Sequence, residues 1–139
     1  MKSNPLSTYF LLVQGIILIV LGGYFIFLRP AVLPEDLLYM NTTLKDFHKS
    51  IPRLSIWLQK VFLVTGGYIF TTGLLTVYIS QTSFCSRVRG VFIMVLIASL
   101  TSIGSMTVIN FMLNSDFKLV LLACNFPWIT ALTLYLLKK

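Results

Sequence analysis

His48 is the one histidine in this 139-residue chain, and histidine is the side chain whose ordinary pKa lies near neutrality. Asp36 and Asp46 precede it and Arg53 follows it. Asp116 stands in a second short polar stretch with Asn110, Asn114 and Lys118. Together these groups could form an acid–base site, with His48 or Asp46 moving a proton, Asp116 opposite, and Arg53 or Lys60 gripping a phosphate. Lys49, Arg53 and Lys60 fall close to one line on a helical projection, with Trp57 among them. That pattern fits snorkelling anchors or a site for an anionic lipid headgroup. One histidine with scattered carboxylates makes no metal motif, and Cys85 and Cys124 have no ligand spacing, so neither metal nor cofactor is expected.

The elements that must position these residues are dominated by four apolar runs, Leu6–Leu28, Leu54–Ile79, Val91–Leu113 and Phe117–Leu137. A bilayer-spanning helix needs ~20 mostly apolar residues. In hydrocarbon every backbone polar group must be satisfied within the segment, so each run is expected to be helical. The fold class expected is an all-α integral membrane protein, with four transmembrane helices in an antiparallel bundle forming one domain over residues 1–139. Composition agrees: 57% of residues are hydrophobic and 11% charged, against about 25% charged in soluble domains. The first run is longer than the ~7–15 residue apolar core of a signal peptide and no small-residue cleavage site follows it, so it is read as a true span.

The net charge of +7 does not indicate nucleic acid, because the basic residues are dispersed among loops and ends with no basic-aromatic groove. Surplus Lys and Arg in such a chain mark topology and contact anionic lipid, which makes membrane lipids the expected partners. Four spans put both termini on one side, with Lys2, Arg87, Arg89, Lys138 and Lys139 close to helix ends. That side is expected to be cytoplasmic. Asn41-Thr42-Thr43 matches a glycosylation triplet, which has meaning only if the opposite side is lumenal.

Between the first two spans Leu37, Met40, Leu44, Phe47, Ile51 and Leu54 recur at alternating intervals of three and four. Pro34 suits a first helical turn, Glu35 and Asp36 its positive end, and Pro52 its termination. One amphipathic helix over 34–51 is therefore expected, resting on lipid or folded as a lid.

Helices in lipid associate where small residues permit close approach. Gly15 and Gly22, Gly66 and Gly73, and Ala98 and Ser105 are each seven apart, close to two turns, so each pair is expected on one packing face. Thr65, Thr72 and Thr76 share another face of the second run. Pro127, two residues after Asn125, is expected to kink the fourth.

Function is less legible. The expectation is a non-catalytic accessory, scaffold or lipid-contacting protein, working through a protein partner or as a homo-oligomer. A small enzyme acting on a lipid would need a pocket joining His48, Arg53 and Asp116. A carrier or channel component would need a polar path lined by Gln14, Thr65, Thr72 or Asn125.

Overall fold

The computed structural model describes residues 5–137, and among them every regular element is helical. The elements are α1 (Pro5–Phe27), α2 (Pro34–Tyr39), α3 (Leu44–Ser50), α4 (Leu54–Phe84), α5 (Val91–Met112) and α6 (Lys118–Leu137). Four of them, α1, α4, α5 and α6, are long and apolar enough to cross a membrane. Lys2, Lys138 and Lys139 lie outside the described residues.

α1 ends where Leu28 and Arg29 both donate their N–H groups to the Tyr24 carbonyl, each at 2.9 Å, and Pro30 cannot continue the ladder. Three other helix ends are closed by a residue in the left-handed region: Asn41 (φ 51°), Arg87 (φ 53°) and Asn114 (φ 52°). Each closure has the wrapped bond that left-handed C-caps make. Thr42 donates to Leu37, Val88 to Ser83 and Ser115 to Asn110, at 3.0–3.1 Å.

Asn41 is also where the first connection departs from expectation. The single amphipathic helix over 34–51 is in fact two short helices, α2 and α3, separated by Met40–Thr43. Thr43 caps α3, accepting the Asp46 N–H at 3.2 Å while donating its hydroxyl to the Asp46 carboxylate at 2.7 Å. Threonine and asparagine hydrogen-bond locally in ways that end helices, and here that preference outweighs the apolar period. α4 and α5 also differ from the simplest reading. α4 runs beyond Ile79 through a wide, π-helical turn at Ser80–Phe84, and α5 contains another at Leu100–Gly104.

α1 is the central helix. Against α4 it packs backbone to backbone and antiparallel. A Cβ placed on Gly15 would lie 2.6 Å from Val77 Cγ2 and 3.0 Å from the Gly73 carbonyl, and one on Gly73 would lie 2.8 Å from the Gly15 carbonyl. At the other end of the seam, a Cβ on Gly22 would meet the Phe70 nitrogen at 2.5 Å, and one on Gly66 would meet the Gly22 carbonyl at 3.0 Å. Only glycine allows this approach. Thr65, Thr72 and Thr76 donate to carbonyls of their own helix at 2.8–2.9 Å.

On its other flank α1 meets α6, where the buried Ser7 hydroxyl donates to the Ala131 carbonyl at 3.0 Å. Leu11 and Leu18 of α1, Phe84 of α4, Val91, Val95 and Ile103 of α5, and Trp128, Ala131 and Tyr135 of α6 form one core. Gln14 is fully buried, and its amide finds no hydrogen-bond partner among the described residues. The turn at Asn125 interrupts α6 beside Pro127. The Asn125 amide donates both to the Leu121 carbonyl and to the Thr107 hydroxyl of α5, each at 2.8 Å.

Ala98 and Ser105 do not share a packing face. Ala98 is half-buried against the core, whereas Ser105 is exposed and donates to the Thr101 and Ser102 carbonyls of its own helix. The wide turn at Leu100–Gly104 lies between them. A π turn accommodates one surplus residue, which moves the following side chains about 100° around the axis.

Candidate functional site

At the end of the molecule that carries α2, a cavity of about 270 Å³ lies between α1, α5 and α6. Its wall is apolar, built from Leu21 and Phe25 of α1, Met106 and Ile109 of α5, and Val120 and Cys124 of α6. α2 covers its mouth, where Arg29, Glu35, Asp36, Asn110 and Ser115 contribute the polar groups. A second groove of about 420 Å³ lies between α4 and α5 and is floored by α1. Leu21, Phe25 and Met106 line both spaces and so stand between the cavity under α2 and the lateral groove.

Local chemistry holds the mouth together. Arg29 emerges just past the end of α1 and turns back, its guanidinium stacked 3.4 Å from the Phe62 ring centroid and 5.3 Å from that of Phe25. It pairs with Asp36 at 3.8 Å. The other oxygen contacts at Asp36 are local, with the Leu33 N–H donating to it at 2.9 Å across the first turn of α2. Burial lowers the Arg29 pKa from its ordinary value, opposed by the nearby Asp36, Tyr24 and Glu35. The folded state thus holds this proton less tightly than the unfolded chain, a penalty that shrinks only at strongly alkaline pH.

Glu35 ties α2 to the turn between α5 and α6. The buried Ser115 hydroxyl donates to Glu35 Oε1 at 2.9 Å and accepts the Phe117 N–H at 3.1 Å. Asn110 spends its amide N–H on the Met106 carbonyl at 2.9 Å. The unspent acceptors at the mouth are the remaining Glu35 oxygen and the Asn110 side-chain oxygen, beside the second Asn110 N–H and the Arg29 N–H groups not engaged by Asp36 and the Pro30 carbonyl.

Of the residues singled out from the sequence, Asp36 and Asn110 line the cavity mouth, and the others lie elsewhere. His48 is exposed on α3, its Nδ1 2.9 Å from the Leu44 carbonyl oxygen and its ring edge-on to Phe47. Asp46 is engaged in the α3 cap, and Asp116 is exposed. None of the three lines the cavity. Lys49, Arg53 and Trp57 are also exposed. Lys60 instead shares an open groove of about 340 Å³ with Arg29, Gln59 and Phe27 at the ends of α1 and α4. Among the described residues no three His, Cys, Asp or Glu side chains are grouped to hold a metal.

The cavity-mouth residues Arg29, Glu35 and Ser115 were not evident as a set. A basic residue at the end of an apolar run, followed within seven positions by two prolines and two acids, is the signal that points to the first two. Nothing in the sequence near Ser115 connects it to Glu35.

The opposite end of the molecule is clamped by Arg87. Its guanidinium donates to the Tyr135 carbonyl at 2.9 Å and lies 4.2 Å from the centre of the Tyr135 ring, which Phe84 and Phe92 flank at 4.6 and 5.7 Å. No protein-family model, no curated protein and no solved structure matches this chain.

Proposed function

We propose that this chain is a single-domain, multi-pass integral membrane protein that acts without catalysis as a lipid-contacting scaffold or accessory subunit. Its four long helices form an antiparallel bundle with both termini in the cytoplasm, and α2 and α3 lie at the opposite interface. The observation that carries this reading is the outward distribution of apolar surface. In the most apolar stretch of each long helix only 17–28% of residues are buried inside the protein. Side chains such as Val20, Leu75, Met94 and Ile129 are more than half exposed. A water-soluble protein rarely exposes apolar patches beyond a few hundred Å², whereas lipid is a neutral solvent for them.

The scaffold part of the reading is supported by where the ionisable side chains are engaged. His48 meets a carbonyl of its own helix, Asp46 caps α3, and Arg29 and Asp36 pair with each other.

The test is expression with a tag at each end, followed by alkaline carbonate extraction and labelling by a membrane-impermeant reagent. Retention in the membrane pellet, both tags labelled only after the cytoplasmic face is opened, and cysteines introduced at Lys45 or Lys49 labelled from the other face are expected. Release by carbonate, or tags on opposite faces, overturns the reading. Cross-linking in native membranes then distinguishes a homo-oligomer from a complex with another protein.

A further inference from the structure

We propose that the cavity under α2 binds a single-chain amphiphile with a cationic, ammonium-type head, its chain leaving through the lateral groove between α4 and α5. The proposal rests on the membrane-embedded reading and adds a ligand class to it.

The charge at the mouth selects the head. Two carboxylates, Glu35 and Asp36, face one guanidinium, Arg29. Arg29 is already paired with Asp36 and covered by the rings of Phe25 and Phe62. Glu35 has no ion-pair partner among the described residues, and its one hydrogen bond comes from a neutral hydroxyl, that of Ser115. The mouth thus has one uncompensated negative charge and spare acceptors. An ammonium group offers three donors and no acceptor, the complement of that set. An anionic head would face Glu35 with its only cation already committed.

Shape selects the rest. A volume of about 270 Å³ lies just below the ~300–1,000 Å³ range of ligand pockets, too small for a two-tailed lipid with its head. Leu21, Phe25 and Met106 form a wall shared with the groove lined by Ile69, Thr72 and Thr101, which lies on their far side. The Thr72 and Thr101 hydroxyls bond their own helices at 2.8 Å, which leaves an apolar track for one alkyl chain. α2 closes the mouth through the Glu35–Ser115 bond, so the same carboxylate that meets the ligand also holds the cover.

The test uses the full chain in nanodiscs of phosphatidylcholine with three photoactivatable probes of equal chain length: a long-chain primary amine, the matching alcohol and the matching carboxylate. Labelled residues are mapped by mass spectrometry. Protection of Cys124, which lines the cavity, from a maleimide is read in parallel. The amine is expected to label the walls around Leu21, Met106 and Cys124 saturably and to be displaced by unlabelled amine. Its apparent affinity should exceed that of the carboxylate by about ten-fold, the scale of one charged hydrogen bond. Glu35→Gln, which keeps the shape and can still accept from Ser115, is expected to abolish that preference, and Lys45→Gln on exposed α3 to leave it unchanged. Should Glu35→Gln fail to fold, the preference of the wild-type protein among the three heads still decides.

Equal labelling by amine and carboxylate, labels scattered over the lipid-facing surface, or Cys124 protected only in a cross-linked dimer would each overturn the proposal. A chain that resists carbonate extraction but shows no saturable labelling loses the ligand and keeps the membrane reading. A chain released by carbonate loses both.

Discussion

α1 faces α4 and α5 in two different ways. Towards α4, glycines at Gly15, Gly22, Gly66 and Gly73 bring two backbones together with no room for a Cβ. Towards α5, the small residue Ser105 faces a groove wide enough to hold a molecule. The spacing of seven is the same on both flanks. What differs is helical phase: the α1–α4 seam lies within uninterrupted α-helix, whereas α5 passes through a wide turn between Ala98 and Ser105. A seam therefore needs small residues that stay in register on both partners, and an interruption in one partner converts it to a space.

The largest effect should come from breaking the tight flank. Gly22→Ala puts a methyl group against the Phe70 backbone and is expected to destabilise the protein by about 3 kcal/mol, the cost of overpacking where backbone must move. Gly67→Ala, whose Cβ would meet nothing within 4 Å, should be neutral or stabilising by up to ~1 kcal/mol through helix propensity. Denaturant titration of both variants in mixed micelles makes the comparison. Equal losses would mean that the seam is not the source of the difference.

Next in size is Arg29→Leu, which strands Asp36 and frees the cover of the open flank. A loss of about 2 kcal/mol is expected, with faster hydrogen exchange confined to α2 and the end of α1. Uniform exchange across all helices would contradict a local role.

Two amides, the half-buried Asn125 and the fully buried Gln14, then sharpen the contrast between satisfied and unsatisfied polarity. Asn125 bridges α6 to Thr107 of α5, and Asn125→Leu should cost about 1 kcal/mol, as interhelical hydrogen bonds in membranes do. Gln14 is buried without a partner among the described residues, so Gln14→Leu should raise stability by about 1 kcal/mol. A fall in stability for Gln14→Leu would reveal a partner for that amide. The smallest effect belongs to Ser105→Ala, within about 0.5 kcal/mol of wild type, because Ser105 bonds only its own helix.

The long helices were legible because their signal is redundant. Some twenty apolar residues in a row remain a helix whatever one neighbour does, and Pro30, Pro34 and Pro52 mark where the chain turns. Short-range chemistry was harder to read. The apolar stripe from Leu37 to Ile51 is continuous, yet local hydrogen bonding by Asn41 and Thr43 ends one helix and caps the next. The cavity mouth was hidden for another reason: Glu35 and Ser115 are 80 positions apart and meet only after the long helices have packed. His48 drew notice through its chemistry, but nothing in the sequence shows whether a lone histidine faces a pocket or solvent. The left-handed Arg87 was equally unreadable, since neither glycine nor asparagine announces it.

The wide turn at Leu100–Gly104 has one further consequence. A shortened α5, with one amino acid removed there, would keep the same oiliness and almost the same length. Because the turn is what absorbs the surplus residue, removing one would relax it to plain α-helix, and every side chain from Ser105 onward would keep its present facing, with Met106, Thr107 and Asn110 beside the same neighbours. A single deletion at the turn would therefore spare both the lateral opening and the Thr107–Asn125 bridge, and leave the hydropathy profile nearly unmarked.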